Sequence, residues 1–323
     1  MILIVTNRQD QTADYLILEL KKRKADYFRF NTEDFPQELS VTWGISDLGI
    51  EGWLISPNRR IRFDEITSIW YRRPVSPVPY NFLDDEAKNF VIAESLSTLD
   101  GIWRTLDCFW VSNPDNIRKA ENKLLQLKQA MRVGFQIPQT IVTNHPDSSV
   151  SFYEEQGNDI IYKPLRKGRI NRGGDQSVIF TTPIDQDAAK QLSNVKYAPS
   201  LLQKYVHKKI ELRVTVIGKN VFTVSLDSQN FPKAMHDWRR ALSDGIHHKL
   251  FPLPSEIETK CKTLVRDLGL EFGAIDMIVT PDEQFVFLEI NPNGQWAWIQ
   301  QLCPEIPLRE YLADILIDGG QQR

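Results

Sequence analysis

The sequence is short of the residues that build zinc centres and disulfide frameworks. Among 323 residues there are 3 cysteines and 5 histidines. Cys108, Cys261 and Cys303 make no C-x-x-C spacing, and the histidines are scattered. That excludes a zinc pattern and predicts free thiols in a cytoplasmic protein. A basic surplus is missing as well. Lysine plus arginine number 39 against 42 for aspartate plus glutamate, a net charge of −3, so wholesale binding to nucleic acid is not expected. No apolar run reaches the roughly 18 residues of a membrane span. The N-terminal MILIVTN lacks a basic flank and a cleavage site, and reads as a buried strand rather than a signal peptide. Internal repeats, low-complexity segments and the G-x-x-x-x-G-K-[ST] phosphate loop are absent.

What is present is the composition of a soluble globular protein, 41% hydrophobic and 25% charged. The length suffices for two or three domains. Residues 1–115 predict an α/β domain that opens βαβ: strand ILIVTN, a helix over 12–23, strand DYFRFN. Strands VTWGI, GWLIS and EITSIWYRRP follow, then a helix over 84–106 and strand FWVSNP. A single helix is expected over 116–133, ended by Gly134. It opens a central domain, 116–205, with strands TIVT, DIIYKPL, SVIFTTPI and SLLQKYV and helices near 148–156 and 186–192. The last domain, 206–323, has two long strands, ELRVTVIG and NVFTVSL, a polar loop, a helix over 254–268, a hairpin and a C-terminal helix. The fold class is α/β in the first domain and α+β in the rest.

The hairpin over 272–296, FGAIDMIVTPDEQFVFLEINPNGQW, carries the most chemistry. With 281–284 as its loop, Thr280 faces Phe285 and Asp276 falls opposite Glu289. Asn291, two residues beyond Glu289, shares its face. Directly opposed residues bring their Cβ atoms to roughly 5 Å. Two carboxylates on a half-buried face repel, and burying them unpaired is costly. A hard cation such as Mg²⁺, which takes carboxylate, water and phosphate oxygens at about 2.0–2.1 Å, resolves this. The alternative is a solvated face with a salt bridge to Lys or Arg.

Upstream lies a set of residues suited to a nucleotide. Lys163 ends the strand IIYKPL, and RKGRINRGGDQS follows it. With glycines 168, 173 and 174 this reads as a donor-rich loop able to fold over phosphates, or as a solvated turn. Lys123, on the preceding helix, is placed to reach the phosphates from the other side, unless it is simply a surface lysine. The run LLQKYVHKKIELRVTVIG leaves one sheet and enters the next, and clefts between domains often hold nucleotides. There the backbone of Lys204, Tyr205 and Val206 is positioned to read adenine, with Gln203 beside it. Glu211 is suited to the ribose hydroxyls. Arg213, on the same strand face, points where a cation can meet a phosphoryl group.

Lys123, Lys163 with its glycine loop, QKYV, IELR and the D…E-x-N hairpin occur in the order of the ATP-grasp superfamily, which the chain resembles over 116–296. IWYRRP, IELRVTV, HDWRR (236–240) and the hairpin further resemble the microviridin-type peptide cyclases, the graspetide synthetases. This resemblance implies two α+β subdomains gripping ATP behind a pre-ATP-grasp domain. It implies phosphate contacts for Lys123 and Lys163, a ribose contact for Glu211, and magnesium ligands Asp276, Glu289 and Asn291, the last also near ATP. Arg213 would stand at the transferring phosphoryl, and two Mg²⁺ ions are expected. Lys204 departs from the acidic residue common at its position, and NPNGQW departs from the family pattern after the metal ligands.

The activity so implied joins Glu or Asp side chains of a precursor peptide, activated as acyl phosphates, to Ser/Thr hydroxyls or Lys amines. Lactones or lactams result, with release of ADP and phosphate. Asp237, or Asp227, is a candidate base, and Arg213 and Lys163 are candidate catalytic cations. Arg239, Arg240 and Arg72 are candidates for contacting the acidic peptide; the alternatives are pairing of the loop arginines with Asp237 or Asp244, and, favoured for Arg72 and Arg73, bracing of the domain interface. Partners are a precursor with leader and acidic core, not nucleic acid or membrane, and a homodimer is compatible with this. Two alternatives share the nucleotide residues: a RimK-like ligase adding amino acids to a terminus, and an ATP-binding sensor or scaffold without turnover.

Overall fold

The computed structural model describes residues 1–166, 168–172, 175–232, 234–238 and 247–319. The chain divides into two compact units. Unit 1 is Met1–Ile117, Gly269–Phe272 and Asn293–Arg323; unit 2 is Arg118–Leu268 and Gly273–Pro292.

In unit 1, β1 (Ile2–Thr6), α1 (Gln11–Lys22) and β2 (Tyr27–Asn31) form the parallel βαβ opening. Asp10 caps α1 by accepting from the Thr12 N–H at 3.2 Å. Next come β3 (Ser40–Ser46), β4 (Gly49–Ser56) and β5 (Arg59–Arg62), an antiparallel sheet whose third strand was not expected. Strand β6 (Ser68–Tyr71) returns beside β1, and α2 (Asp85–Thr105) leads to β7 (Phe109–Val111), giving the all-parallel order β2-β1-β6-β7. Its core joins Leu3, Val5, Phe30 and Ile69 to Leu99, Ile102 and Trp103 of α2.

The single helix expected over 116–133 is two: α3 (Pro114–Ala120) and α4 (Lys123–Val133). Asn122 makes the break. Its extended backbone (φ −77°, ψ 110°) leaves the helix, and its side chain accepts from the Leu125 N–H at 3.0 Å. Gly134, at φ 89°, closes α4 as the sequence predicts.

Two antiparallel arrangements make up the rest of unit 2. The first contains β8 (Thr140–Thr143), α5 (Pro146–Glu155), β9 (Ile160–Lys163), β10 (Arg169–Arg172), β11 (Asp175–Val178), β12 (Thr182–Pro183), α6 (Gln186–Ala189) and β13 (Ser200–Lys204). Its main sheet has the order β12-β9-β13-β8. The stretch expected to be a loop after Lys163 is itself a hairpin, β10 paired antiparallel with β11. The Gly-Gly pair between two four-residue runs was the available signal. Gly168 stands at its base, where an added Cβ would lie 2.7 Å from the Ile179 carbonyl oxygen.

The second sheet is built from β14 (Ile210–Ile217), β15 (Asn220–Leu226), β16 (His248–Leu250), α7 (Ser255–Asp267), β17 (Phe272–Val279) and β18 (Phe285–Asn291), in the order β16-β15-β14-β17-β18. Cys261, Leu264 and Val265 of α7 are buried. At Gly273 a Cβ would meet Val265 and Ile290 side chains at 2.8 Å, so glycine is required for that close approach. The chain then returns to unit 1 through α8 (Ala297–Leu302) and α9 (Leu308–Ile317), two helices where one was expected. Trp296, fully buried, packs its ring against Tyr15 and Trp70, and the Ser68 hydroxyl donates to the Leu316 carbonyl at 2.6 Å. Among the described residues no helix is long and apolar enough to cross a membrane.

Candidate active site

The oxygen donors lie on the β17–β18 hairpin, whose register differs from expectation in two places. Val279, not Thr280, pairs with Phe285, so the loop is one residue longer than expected. That offset continues through Met277↔Phe287 and is then reversed by a shift between Asp276 and Met277, which leaves Leu288 as an extra residue. Beyond the bulge Asp276 stands opposite Glu289, and Ala274 opposite Asn291. A one-residue slip exchanges the two faces of a strand. The bulge is therefore what puts Glu289 and Asn291 on the face of Asp276.

Each carboxylate is paired with a cation. Arg213 Nη1 lies 2.9 Å from Asp276 Oδ1, and Lys123 Nζ lies 2.9 Å from Glu289 Oε2. Lys123 reaches Glu289 because the break at Asn122 makes it the first residue of α4. Arg213 is buried on β14, and Glu211 is buried two residues before it. Glu211 accepts from Lys208 Nζ and from Ser228 Oγ, both at 2.6 Å, yet burial pushes its carboxyl above the ordinary range. Sequence reasoning missed Lys208 and Ser228; nothing in their spacing marks them.

Lys163, at the end of β9, donates to Gln203 Oε1 at 2.7 Å, and Gln203 Nε2 donates to Thr140 Oγ1 at 2.8 Å. The Gln203 amide thus orients the lysine. Burial lowers the Lys163 ammonium to about 8, against the pull of Glu289 and Asp237 and with the push of Lys123 and Lys208. Lysine 163 is within electrostatic reach of all four, so the two sheets of unit 2 share one charged cluster. Lys123, Lys163, Lys208 and Arg213 balance Asp276, Glu289, Glu211 and Asp237.

The remaining expected residues fall as follows. Lys204 Nζ donates to the Gln156 carbonyl at 2.6 Å. The N–H groups of Lys204 and Tyr205 donate to the carbonyls of Gln139 and Asp159 at 2.9 and 3.0 Å. Any adenine contact from this segment therefore uses other groups, such as those of Val206. The Tyr205 ring packs edge-on to His207 and His236, with centroids 5.0 and 5.2 Å away. Asp237 is buried, and its Oδ2 accepts from the Thr181 N–H at 3.3 Å. Asp227 accepts from Asn230 Nδ2 at 2.7 Å. Arg239 and Arg240, like Gly173 and Gly174, lie outside the described residues.

Of the two roles open to Arg72, peptide contact and bracing, its contacts favour bracing. Its guanidinium, in unit 1, is 1% exposed, lies 3.6 Å from Asp10, and donates to the Asn293 carbonyl and to Gln295 Oε1. A charged head so enclosed braces the stretch NPNGQW.

A magnesium site fits these residues. Among the described residues no three of His, Cys, Asp and Glu cluster as a metal centre; what the hairpin offers is a pair of carboxylates with a neighbouring amide. Two carboxylates and an amide are oxygen donors, the preference of Mg²⁺. The charge balance points the same way. A triphosphate brings several negative charges to a site whose described acidic and basic side chains match in number, and divalent cations offset them.

Residues 1–118 match the family model of the MvdD pre-ATP grasp domain. Over the whole chain the structure is similar to a RiPP-associated ATP-grasp ligase of Chryseobacterium gregarium, solved with ADP and a leader and core peptide. The identity is 30%, the coverage 98% of this chain and 96% of that one, and the TM-score 0.91. It is also similar to the macrocyclase MdnC of Microcystis aeruginosa MRC bound with the precursor peptide MdnA, at 28% identity, 98% and 99% coverage and a TM-score of 0.87. Among curated proteins, the glutamate–LysW ligase ArgX of Sulfolobus acidocaldarius is 24% identical over 186 residues. That alignment covers 56% of this chain and 63% of the relative, so the chain spans less than two thirds of the length of the curated relatives it matches. With 30% identity sustained across almost the entire length of both proteins, the chain belongs to the RiPP-associated ATP-grasp ligases.

Proposed function

We propose that this protein is an ATP-dependent peptide macrocyclase that activates Glu or Asp side chains of a ribosomally made precursor and closes lactones or lactams on them. The observation that carries the reading is the opposition of Asp276 and Glu289 on one hairpin face, each held by a basic side chain. Asp276, Glu289 and Asn291 would hold Mg²⁺, two ions in our reading, which supplies charge neutralisation at the triphosphate. Lys123 and Lys163 bind phosphates, Glu211 accepts from the ribose, and Gln203 keeps Lys163 aimed. Arg213 faces the transferring phosphoryl, where preorganised positive charge is most effective.

A carboxylate oxygen of the peptide attacks the γ-phosphorus, the bond to the β,γ-bridging oxygen breaks, and ADP leaves. A hydroxyl or amine of the same peptide then attacks the acyl carbon, and phosphate leaves. Asp237 is the proposed acceptor of the nucleophile's proton. Asp237→Asn retaining full turnover at every pH would remove it from that role.

Similarity to a ligase solved with leader and core peptide and to MdnC bound with its precursor supports a precursor with leader and acidic core as partner. The test is the intact mass of a candidate precursor after reaction with the protein, ATP and Mg²⁺. Macrocyclisation lowers it by one water per bond. A gain of one amino-acid residue would favour the terminal ligase that resemblance to the glutamate–LysW ligase suggests. No mass change, with no peptide-dependent ADP formation lost in Glu289→Gln, would leave only a nucleotide-binding module.

A further inference from the structure

Gln126 was not singled out by its sequence position, yet it makes three hydrogen bonds at 4% exposure. Its Nε2 donates to the Ala120 carbonyl at 2.6 Å and to the Ile290 carbonyl at 2.8 Å, and its Oε1 accepts from the Ile290 N–H at 3.1 Å. Ile290 lies between Glu289 and Asn291 on β18, the outer strand of its sheet. Outer strands present unpaired peptide groups on one side. A glutamine amide carries the same donor and acceptor as a peptide. Gln126 therefore does for Ile290 what a neighbouring strand would do. Farther along the same strand, the Phe287 N–H donates to the Gln136 carbonyl at 2.9 Å.

We propose that Gln126 is a positioning residue for the metal-binding strand, acting through the Ile290 peptide to hold Glu289 and Asn291 in place. This rests on the proposed function. The Ala120 bond extends the tie to the end of α3, just before the turn at Asn122. Lys123, three residues earlier on the same helix, pairs with Glu289 at 2.9 Å. Two ties thus run from α4 to one strand, and they differ in kind. On the proposed function Glu289 takes a metal ion and Lys123 a phosphate, so the charged tie is the one subject to exchange as ligands arrive. The Gln126 tie is neutral and bonds main chain, so it keeps the strand in place through that exchange.

Calorimetry of ADP binding with Mg²⁺ and with EDTA tests this. Groups that orient metal ligands typically contribute about ten-fold or more to metal affinity, so Gln126→Met should lose about ten-fold of the magnesium-induced tightening and stay within about two-fold of wild type in EDTA. Amide exchange at Ile290 should be slow in the wild type and accelerate in the variant, with Phe287 unchanged. A purely structural role would lower the melting temperature and leave the magnesium effect intact. A folded Gln126→Met with the wild-type magnesium effect, or an unprotected Ile290 amide in the wild type, overturns the proposal. Should that variant not fold, Gln126→Glu, of equal size but without the donor, is read by the same criteria. Absence of any magnesium effect in the wild type would instead sink the proposed function.

Discussion

Lys163 combines a positive charge with a partly buried place in the protein, and the two conflict. Burial lowers its pKa from 10.5 to about 8, because an ammonium that has lost part of its hydration is less stable relative to the neutral amine. Between those values the unfolded chain holds a proton that the folded chain has lost. The penalty this lysine places on stability is full below about 8 and is relieved as pH rises. Phosphate binding has the opposite need, since it uses the cation. ADP affinity should therefore fall above pH 8, by up to about ten-fold per unit, and Lys163→Met should flatten the profile; calorimetry across that range is the check. Strand alternation and donor chemistry singled out Lys163, Arg213, Asp276, Glu289 and Asn291 as candidates. Gln126, Lys208 and Ser228 were not, because their meaning lies in their partners. Gln126 and Ile290 are 164 positions apart, and local pattern carries no record of such a pair.

Elements decide where those side chains are delivered. The hairpin register came out as expected at Asp276 and Glu289 only because a longer loop and a bulge at Leu288 offset each other. Neither leaves a clear trace in composition, since bulges answer to packing across the sheet as much as to local preference. The break between α3 and α4 had a local signature in Asn122, and the helical run on either side concealed it. That break starts the helix from which Lys123 reaches Glu289. Asn122→Ala should destabilise the protein by about 1 kcal/mol through loss of the cap, whereas Asn122→Asp should cost little. Urea unfolding of the three proteins measures the difference. An unchanged midpoint for the alanine variant would mean that tertiary packing alone sets the start of α4.

Taken whole, the chain is legible as βαβ followed by antiparallel sheets, and its ATP-grasp order could be read from motifs. What linear reading could not supply is that unit 1 is assembled from three separated stretches. The family model for residues 1–118 matches only the first of them. A fragment ending at 118 lacks Trp296, Leu308, Leu312 and Leu316, all fully or almost fully buried in the intact chain. Each such side chain is worth about 1.5–3 kcal/mol when buried. The fragment should show no cooperative thermal transition, and a sharp one near that of the full protein would contradict this. For biosynthesis the outcome is a schedule. Residues 1–117 leave the ribosome with an apolar surface that the stretch from Asn293 onward helps to cover, so their maturation waits on synthesis of that later stretch and depends on shelter from aggregation until then.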